Sequence, residues 1–567
     1  MCNRRPRGPG RHKAFDGPPK SSAVRLLLGL ALLVLVAPGL SGCLKHSGPA
    51  PAAGPDAPAN APSPAIYTIK APEEVWVTSS SDGIRLNSAV YRPDTTEPVP
   101  VYINFSPYWD DSAMKEGDAF AHYMIHEYVA RGFAVVLTAV RGTGHSEGCF
   151  EVGSDREVKD LNDVVTYFAK QPWSNGNVAA GAKSYDGTSQ NGMIAKFPSP
   201  ALKGIFAVEG ITNMYRYTFQ DGVPARADAA LFTEQYSAGQ GMGEYAGGAA
   251  GAGDPTDESP QSLMRLTGRA GCTGTADNVA NPGASMASGI MTPYWVERDW
   301  TRSIAASPWN GSIFLVHGFQ DWNVQPSHIL PWLDEVAKNG HIEVFAWLHQ
   351  WQQGGTGHVY PMRTDWNATM LRWLDHILKG KDNGWHGGFE SDGSDGTWRA
   401  SPAWPAVPGS MVTNVTAANG VLPFKPGTRI TGAPVLRIAA TPMTPDPVLH
   451  ATWYDVDAGG KRTWVGEAVL RGDLTPDLTA TRTIVPGTQM DWQLTFYPMD
   501  EELLPGHHWL ITYGGTSSEG SNVGLVITPA QDQVTYNQGT MSLEAHVSHA
   551  ELGAVAPQPE KMKCFTC

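Results

Sequence analysis

Strand-like and helix-like segments alternate between residues 133 and 379, and this alternation limits the folds that the chain can adopt. Short apolar runs predict strands at 133–142, 177–184, 202–210, 312–321 and 342–350. Stretches with helical periodicity lie between and after them, near 155–170, from 185, near 326–338 and near 364–379. Strands separated by helices pair in parallel, so we predict a doubly wound α/β sheet with helices on both faces.

The alternation of strands and helices stops between residues 211 and 308, and a different sequence pattern follows residue 385. The first stretch has Gly/Ala-rich turns between helix-compatible pieces, which predicts a helical cap inserted into an α/β domain at 67–385. The segment "GGFESDGSDGTWRASPAWP" predicts a domain boundary by its Gly, Ser, Asp and Pro content. Short strands with turn signals follow over 405–555, which predicts an all-β sandwich or jelly roll of the galactose-binding-like type.

The first 43 residues predict an export signal of the lipoprotein type. Basic residues precede the apolar run "LLLGLALLVLVAPG", which is shorter than the roughly 20 residues that a spanning helix needs. "LSGC" follows, so Cys43 is the predicted lipid attachment site, and the Pro/Ala-rich residues 44–66 are a predicted tether. Plain secretion and an uncleaved N-terminal anchor are alternatives. All three place the globular part outside the cytoplasm, with the membrane contacted through the anchor only.

Charge and cysteine content narrow the classes of function. Acidic residues outnumber basic ones by 55 to 41, and the net charge of −14 argues against nucleic-acid binding. Disulfides are permitted outside the cytoplasm, and Cys149 with Cys272 and Cys564 with Cys567 is one of the three pairings open to these cysteines. The terminal "CFTC" could instead bind metal or be redox active. We favour a disulfide and no metal, because no second CxxC or His pair completes a zinc site.

Ser184 lies where a predicted strand ends and a helix begins, with small residues on both sides. This is the pattern of a nucleophile elbow, in which a tight turn passes close to neighbouring chain. The G-x-S-x-G pattern is not matched, because Ala182 takes the first glycine position and Gly187 comes one residue late. Taken alone, the segment fits a serine that caps a helix equally well.

Two later residues favour the nucleophile. A serine hydroxyl needs an imidazole to remove its proton, and the imidazole needs a carboxylate to orient it. Asp321 directly follows the strand "SIFLVHGFQ", and His358 follows the next strand in the Gly-rich "QQGGTGHVYP". Both are therefore predicted at the sheet edge that holds Ser184, in the chain order of α/β-hydrolases.

Other histidines and aspartates fit these roles less well. His317 and His349 lie in apolar strands, where a packed and hydrogen-bonded histidine is expected. Asp186 adjoins the serine and Asp160 lies in an earlier helix, so neither follows a late strand.

An acyl-transfer site also needs hydrogen-bond donors for the oxyanion. The backbone N–H of Tyr185, directly after the serine, is one candidate. Tyr108, in "VYINFSPYWDD" after an early strand, is the second, through its hydroxyl or its backbone. The alternative for Tyr108 and Trp109 is that these aromatic side chains only pack at the surface.

With these residues the chain resembles the Xaa-Pro dipeptidyl-peptidases and their relatives, the cocaine-esterase-like and α-amino-acid ester hydrolases. "AKSYDGT" looks like the family elbow G-K-S-Y-x-G-T, and "VHGFQDWNVQP" looks like its acid segment. "LHQ" with "GHVYP" resembles its histidine segment, although the loop between them is longer here. "SPYW" and "RGTGHSEG" match as well, and the resemblance spans roughly residues 73 to 550.

The resemblance implies an α/β-hydrolase with a helical cap and a jelly-roll C-terminal domain. It implies Ser184 as nucleophile, Asp321 as orienting acid and His358 as general base, with Tyr108 and Tyr185 at the oxyanion.

The resemblance also implies a serine peptidase that releases N-terminal Xaa-Pro dipeptides through an acyl-enzyme, without metal or organic cofactor. Such a site needs a carboxylate for the substrate ammonium, and Glu209 at the end of the predicted strand 202–210 is the candidate. The alternative is that Glu209 is solvated or structural. Trp109 and Trp322 are further candidates for substrate contact. An esterase or amidase acting on a small ester, and a non-catalytic surface-binding protein, are the alternatives. The sequence predicts no oligomeric state.

Overall fold

The computed structural model describes residues 61–109, 119–224, 289–321, 323–350, 358, 363–406, 411–416, 420–514, 534–536, 540–548, 554–556 and 558–559. The chain from Ala57 onward forms one compact unit, which includes both predicted domains. The predicted signal segment with Cys43 and the middle of the predicted cap lie outside the described residues. In the described ranges, no helix has the length and apolar content needed to cross a bilayer.

An eleven-stranded sheet dominates the first part of the described chain. The strands of this part are β1 (Glu73–Thr78), β2 (Arg85–Tyr91), β3 (Val99–Ser106), β4 (Ala134–Ala139), β5 (Ser174–Lys183), β6 (Leu202–Val208), β7 (Phe219–Gln220), β8 (Val223–Pro224), β9 (Ser312–Gly318), β10 (Glu343–His349), β11 (Gly388–Asp392) and β12 (Trp398–Ser401). The sheet order is β1-β2-β4-β3-β5-β6-β9-β10-β11-β12, followed by a C-terminal strand, β22 (Ala554–Val555). The central strands from β4 to β11 pair in parallel, as the alternation of strands and helices predicts.

Helices cover both faces of this sheet. They are α1 (Ala119–Met124), α2 (Asp155–Ala169), α3 (Ser189–Lys196), α4 (Met214–Thr218), α5 (Pro293–Glu297), α6 (Thr301–Ile304), α7 (Ile329–Asn339) and α8 (Trp366–Lys379), with a π-helical turn at Ile125–Val129 and 3-10 turns at Ser184–Gly187 and Pro326–His328. The Ser154 hydroxyl accepts a hydrogen bond from the Glu157 N–H and caps α2. Left-handed Gly340 and Gly380 end α7 and α8.

The core lies on both sides of the sheet. Every residue of β3 is buried, and its alternate side chains enter different clusters: Val101 and Ile103 on one face, Tyr102 on the other. This is the expected arrangement for a parallel strand covered by helices on both faces.

The C-terminal part is all β, as predicted. Its strands are β13 (Met411–Thr416), β14 (Arg429–Pro442), β15 (Val448–Val456), β16 (Arg462–Arg471), β17 (Met490–Thr495), β18 (Met499–Glu502), β19 (His508–Gly514), β20 (Val534–Tyr536) and β21 (Thr540–Ser548). A six-stranded antiparallel sheet is built around β14, and a three-stranded sheet has the order β16-β15-β19. Trp453, Trp492 and Trp509 are buried in one core cluster.

Two predicted boundaries differ from the structure. The segment predicted as a domain boundary contains β11 and β12, which extend the large sheet, and Trp398 is buried there. The predicted tether ends too late, because Ser63 is already buried and hydrogen-bonded. Its N–H and hydroxyl donate to the Asp375 carboxylate on α8, at 2.6 and 2.8 Å.

The C-terminal strands contact the loops that follow β9 and β10. The Gln350 side chain, directly after β10, donates to the Asp500 carbonyl of β18 at 2.9 Å. It also accepts a 2.7 Å hydrogen bond from Gln320. The Tyr497 hydroxyl donates to the side-chain oxygen of Gln325 at 3.0 Å. The β-rich part therefore supports two loops at the carboxyl edge of the large sheet.

Candidate active site

Ser184 lies in a sharp turn at the end of β5. Its φ angle is 63°, in the left-handed region that L-residues with side chains rarely occupy. The Thr188 hydroxyl donates to the Ser184 carbonyl at 2.8 Å and helps to hold the turn. Ser184 begins a 3-10 turn, whereas Thr188 is the N-cap residue of α3. Ser184 is therefore not the cap of the helix, and its strained, half-buried position is that of a nucleophile elbow.

The late glycine of the elbow has a steric cause. A Cβ at Gly187 would lie 2.7 Å from the Ala182 carbonyl oxygen. A Cβ at Gly210, beyond β6, would lie 2.1 Å from the Gly187 carbonyl oxygen. The 3-10 turn after Ser184 thus moves the closest approach of the two chain segments to Gly187, one position later than in G-x-S-x-G.

The structure brings Asp321 and His358 into contact. Asp321 follows β9, and its Oδ1 accepts hydrogen bonds from the backbone N–H groups of Asn323 and Val324 at 2.8 and 3.0 Å. Its Oδ2 lies 2.9 Å from His358 Nδ1, so Nδ1 carries the proton and donates it. His358 Nε2 is buried and makes no hydrogen bond with any described residue.

Lys183 connects the histidine to the elbow. Its Nζ donates to the His358 carbonyl at 3.1 Å, and Lys183 directly precedes Ser184. The three residues predicted as a triad are therefore gathered at one edge of the sheet, where β5, β9 and β10 end.

Burial and charge shift the pKa values of this pair in opposite directions. Burial alone would raise the pKa of Asp321, but the adjacent His358 and the Asn323 N–H hold it below its ordinary value. Burial alone would lower the pKa of His358, but the carboxylates of Asp321 and Glu209 raise it. Asp321 is thus ionised at neutral pH and stabilises a positive charge on the imidazole.

Glu209 lies at the predicted end of a strand, but its carboxylate contacts His358. It follows β6, has a φ of 50°, and is fully buried. Its Oε2 is 3.0 Å from His358 Nδ1, and its Oε1 is 3.8 Å from His349 Nε2. A carboxylate enclosed in this way does not meet a substrate ammonium, so the predicted substrate contact of Glu209 does not fit the structure.

One group of described residues could also hold a metal ion. The donor atoms of Glu209, Asp321 and His358 lie within 4.8 Å of one another. A proton on His358 Nδ1 accounts for the same short distances, and the chemistry proposed below uses that proton and no metal.

The two predicted oxyanion donors, Tyr185 and Tyr108, differ in which of their groups is already hydrogen-bonded. The Tyr185 ring is buried, and its hydroxyl donates to Glu157 Oε1 at 2.6 Å, so only the backbone of Tyr185 is directed to the elbow. The Tyr108 N–H donates to the Ser106 hydroxyl at 3.0 Å. A role for Tyr108 at the oxyanion would therefore use its phenol rather than its amide.

Of the remaining predicted residues, Trp109 and Cys149 are among the described residues. Trp109 is only 3% exposed and packs in the core, so its predicted substrate contact does not fit this structure. Cys149 forms a disulfide bond. Trp322, Cys272, Cys564 and Cys567 lie outside the described residues.

The competing histidines and aspartates have structural partners. His317 is buried, its Nε2 lies 2.9 Å from the Val324 carbonyl, and burial lowers its pKa to about 4. His349 is buried as well, and burial lowers its pKa. Asp160 is paired with Arg141 through two hydrogen bonds of 2.7 and 2.9 Å.

Comparison with known protein families identifies the family of this chain. A family model described as X-Pro dipeptidyl-peptidase (S15 family) matches residues 82–354. A second, described as X-Pro dipeptidyl-peptidase C-terminal non-catalytic domain, matches residues 418–547. The chain belongs to the X-Pro dipeptidyl-peptidase (S15) family. The resemblance inferred from the sequence motifs is thereby confirmed, and this family is one of serine hydrolases.

Relatives of this S15 family member support the same conclusion. A Streptomyces avermitilis protein, provisionally named an Xaa-Pro dipeptidyl-peptidase, is 29% identical over 76% of this chain and 65% of its own length. The chain thus spans slightly less than two thirds of that relative.

Solved structures show the shared fold. A CocE/NonD family hydrolase from Staphylococcus aureus has a TM-score of 0.60 at 16% identity, covering 84% of this chain and 91% of its own. An α-amino acid ester hydrolase has a TM-score of 0.58 at 15% identity, covering 89% and 98%. These neighbours confirm the α/β-hydrolase fold with a C-terminal β domain.

Proposed function

We propose that this S15 family member is a serine peptidase that removes N-terminal Xaa-Pro dipeptides through an acyl-enzyme. The observation that carries the proposal is the left-handed Ser184 at the end of β5, beside a buried Asp321–His358 pair. The family assignment supports peptides as substrates.

The proposed reaction uses only side chains and backbone groups of this chain. Ser184 Oγ attacks the carbonyl carbon of the proline, and His358 Nε2 takes the hydroxyl proton. The Tyr185 N–H and the Tyr108 hydroxyl donate to the oxyanion. Asp321 accepts a hydrogen bond from the His358 Nδ1–H and stabilises the imidazolium. The imidazolium then protonates the leaving amine. Water attacks the acyl-enzyme with His358 again as base, and the dipeptide is released as Ser184 is regenerated.

Hydrolysis of a small ester is the second candidate function. The buried position of Glu209 favours it, because this carboxylate, the candidate for binding a free ammonium, is fully buried and lies 3.0 Å from His358 Nδ1. Both functions use the same nucleophile, so they differ in the acyl group and in the leaving group.

A panel of chromogenic substrates distinguishes the two candidates. We expect Ala-Pro and Gly-Pro p-nitroanilides to be cleaved, and their N-acetylated forms to be cleaved poorly, because a dipeptidyl-peptidase requires the free ammonium. Short acyl p-nitrophenyl esters serve as the comparison. Turnover of the esters without any cleavage of the anilides would reject the peptidase and support the esterase.

Replacing Lys183 by methionine should slow the reaction without preventing folding. The change removes the hydrogen bond to the His358 carbonyl, and hydrogen bonds from charged groups contribute roughly 1.5–3 kcal/mol. We use the lower value because Lys183 is half-buried, and expect kcat/KM to fall about tenfold. Lys338→Met on α7 is the control, because Lys338 is exposed and forms a local ion pair with Glu335, three residues away. Equal rates for the wild-type and Lys183→Met proteins would contradict the role given to Lys183.

A further inference from the structure

Two carboxylates, not one, converge on the imidazole of His358. Strands β6, β9 and β10 are adjacent and parallel, so residues that follow their carboxyl ends meet at one edge of the sheet. Glu209 follows β6, Asp321 follows β9, and His358 follows β10. A catalytic histidine needs one acid. Here an acid follows both β6 and β9.

The two acids are equally close to the same nitrogen. Asp321 Oδ2 lies 2.9 Å and Glu209 Oε2 lies 3.0 Å from His358 Nδ1. One N–H cannot point well at two acceptors at once, and in this conformation it is aligned with Asp321. Glu209 is thus placed to accept the same proton after a small rotation of the ring.

The backbone holds Glu209 in this place. Its φ is 50°, and its N–H donates to the Val316 carbonyl of β9 at 2.7 Å. Asp321 is held by the two backbone N–H groups on its Oδ1. Neither carboxylate can move far without breaking these contacts, so both remain at the imidazole.

We propose that Glu209 is a second carboxylate partner of His358, which accepts the Nδ1 proton in place of Asp321 and so positions the imidazole. The inference rests on the proposed function, in which His358 is the general base. Glu209 acts through His358, and it is therefore a positioning residue.

The charged and titratable groups around Glu209 determine when it is ionised. Asp321, His358, His349 and Lys183 face it from the surrounding strands and loops. Burial and the nearby Asp321 raise the pKa of Glu209 to about 7, whereas His358 and Lys183 oppose that rise. Its charge therefore changes near neutral pH, and its ionised form favours the imidazolium.

The test compares Asp321→Asn, Glu209→Gln and the double variant by the rate of acylation with a fluorophosphonate. This probe reports on the serine and does not depend on Xaa-Pro specificity. Replacing the acid of a serine protease by its amide lowers kcat by about 10⁴. With Glu209 as second acceptor, we expect Asp321→Asn to lose only about 10²-fold and the double variant to lose about 10⁴-fold.

The pH profile gives a readout that a merely structural role would not change. His358 must be neutral to act as base, and an ionised Glu209 raises the pKa of His358. Removing that charge lowers this pKa, so the acid limb of the acylation rate should move to lower pH in Glu209→Gln. Glu209→Asp keeps a carboxylate and should keep more of the wild-type profile.

A matched control is Glu467→Gln in the β-rich part. Glu467 is also fully buried and contacts a histidine, with its Oε2 3.1 Å from His450 Nε2. We expect this change to leave the acylation rate and its pH profile unaltered in the folded protein.

Two results would overturn the proposal: Asp321→Asn as slow as the double variant, or a Glu209→Gln profile that coincides with wild type. If Glu209→Gln does not fold, the contact can be tested in Asp321→Asn alone, by recording the low-field proton resonance of His358 Nδ1–H. It should persist if Glu209 accepts the proton, and its loss would count against Glu209. A wild-type protein that does not react would reject the serine-hydrolase function, and this resonance would still decide the Glu209 contact.

Discussion

Ser184→Ala is expected to abolish turnover of peptide and ester substrates alike, with kcat falling by about 10⁴ to 10⁶-fold. The variant has no hydroxyl to form the acyl-enzyme, and His358 then has no proton to move. Labelling by a fluorophosphonate should be lost in parallel. Stability should change by less than about 1 kcal/mol, because alanine meets the same backbone strain at a φ of 63° that serine does.

Ser174→Ala is the matched control for this experiment. Ser174 lies at the opposite end of the same strand, β5, and its hydroxyl accepts a local hydrogen bond from the Gly176 N–H at 3.1 Å. Its rate and labelling should equal those of wild type. Persistent labelling of the Ser184→Ala protein would show that another residue is the nucleophile.

Arg141→Met is expected to destabilise the protein by about 3–5 kcal/mol, because it leaves a buried carboxylate without its partner. Arg141 is 1% exposed and binds both oxygens of Asp160, which has no exposed surface. It also donates to Asp82 at 2.9 Å. Burial already raises the pKa of Asp160 in the presence of Arg141. Without Arg141 the carboxyl must take up a proton or admit water.

The free energy of unfolding, measured by denaturant titration of the full chain, checks this prediction. Arg437→Met is the control, because the ion pair between Arg437 and Glu544 is about half exposed and such pairs contribute at most about 1 kcal/mol. Arg141→Lys should be intermediate, since lysine keeps the charge but not the paired hydrogen bonds. An Arg141→Met protein as stable as the control would show that the network around Asp160 reorganises at little cost.

The proposed triad residues could be predicted from sequence because each follows a recognisable strand of the parallel sheet. β9 and β10 are nearly continuous apolar runs, and β5 is small and apolar over residues 178–182. The ends of these strands, and with them Ser184, Asp321 and His358, can therefore be assigned to one edge of a parallel sheet. Both the fold and this gathering of side chains follow from strand order alone.

The contacts of single side chains could not be predicted in the same way. The sequence places Glu209 at the same edge, but its φ of 50° and its contact with β9 turn the carboxylate toward His358. Trp109 follows a strand in a polar segment, yet its ring packs in the core. The direction of a side chain at a strand end depends on backbone angles that composition does not encode.

Composition predicts domain limits poorly where a polar segment pairs with residues that are distant in the sequence. The segment rich in Gly, Ser and Asp after α8 contains β11 and β12, because β10 offers an unpaired edge for a further strand. Ser63 belongs to a Pro/Ala-rich run, but the Asp375 carboxylate, 312 residues away, fixes it to α8. A short stretch of sequence around either segment does not reveal the distant residues that it contacts.

The contacts of Gln350 with β18 and of Gln325 with Tyr497 have an evolutionary consequence. A substitution in the β-rich part can move the loops that carry Asp321 and His358, although that part supplies none of the proposed catalytic side chains. We therefore expect the two parts of the chain to diverge together. Exchange of the C-terminal part between distant relatives should impair turnover, unless Gln325 and Gln350 are exchanged together with the segments of Tyr497 and Asp500 that they contact.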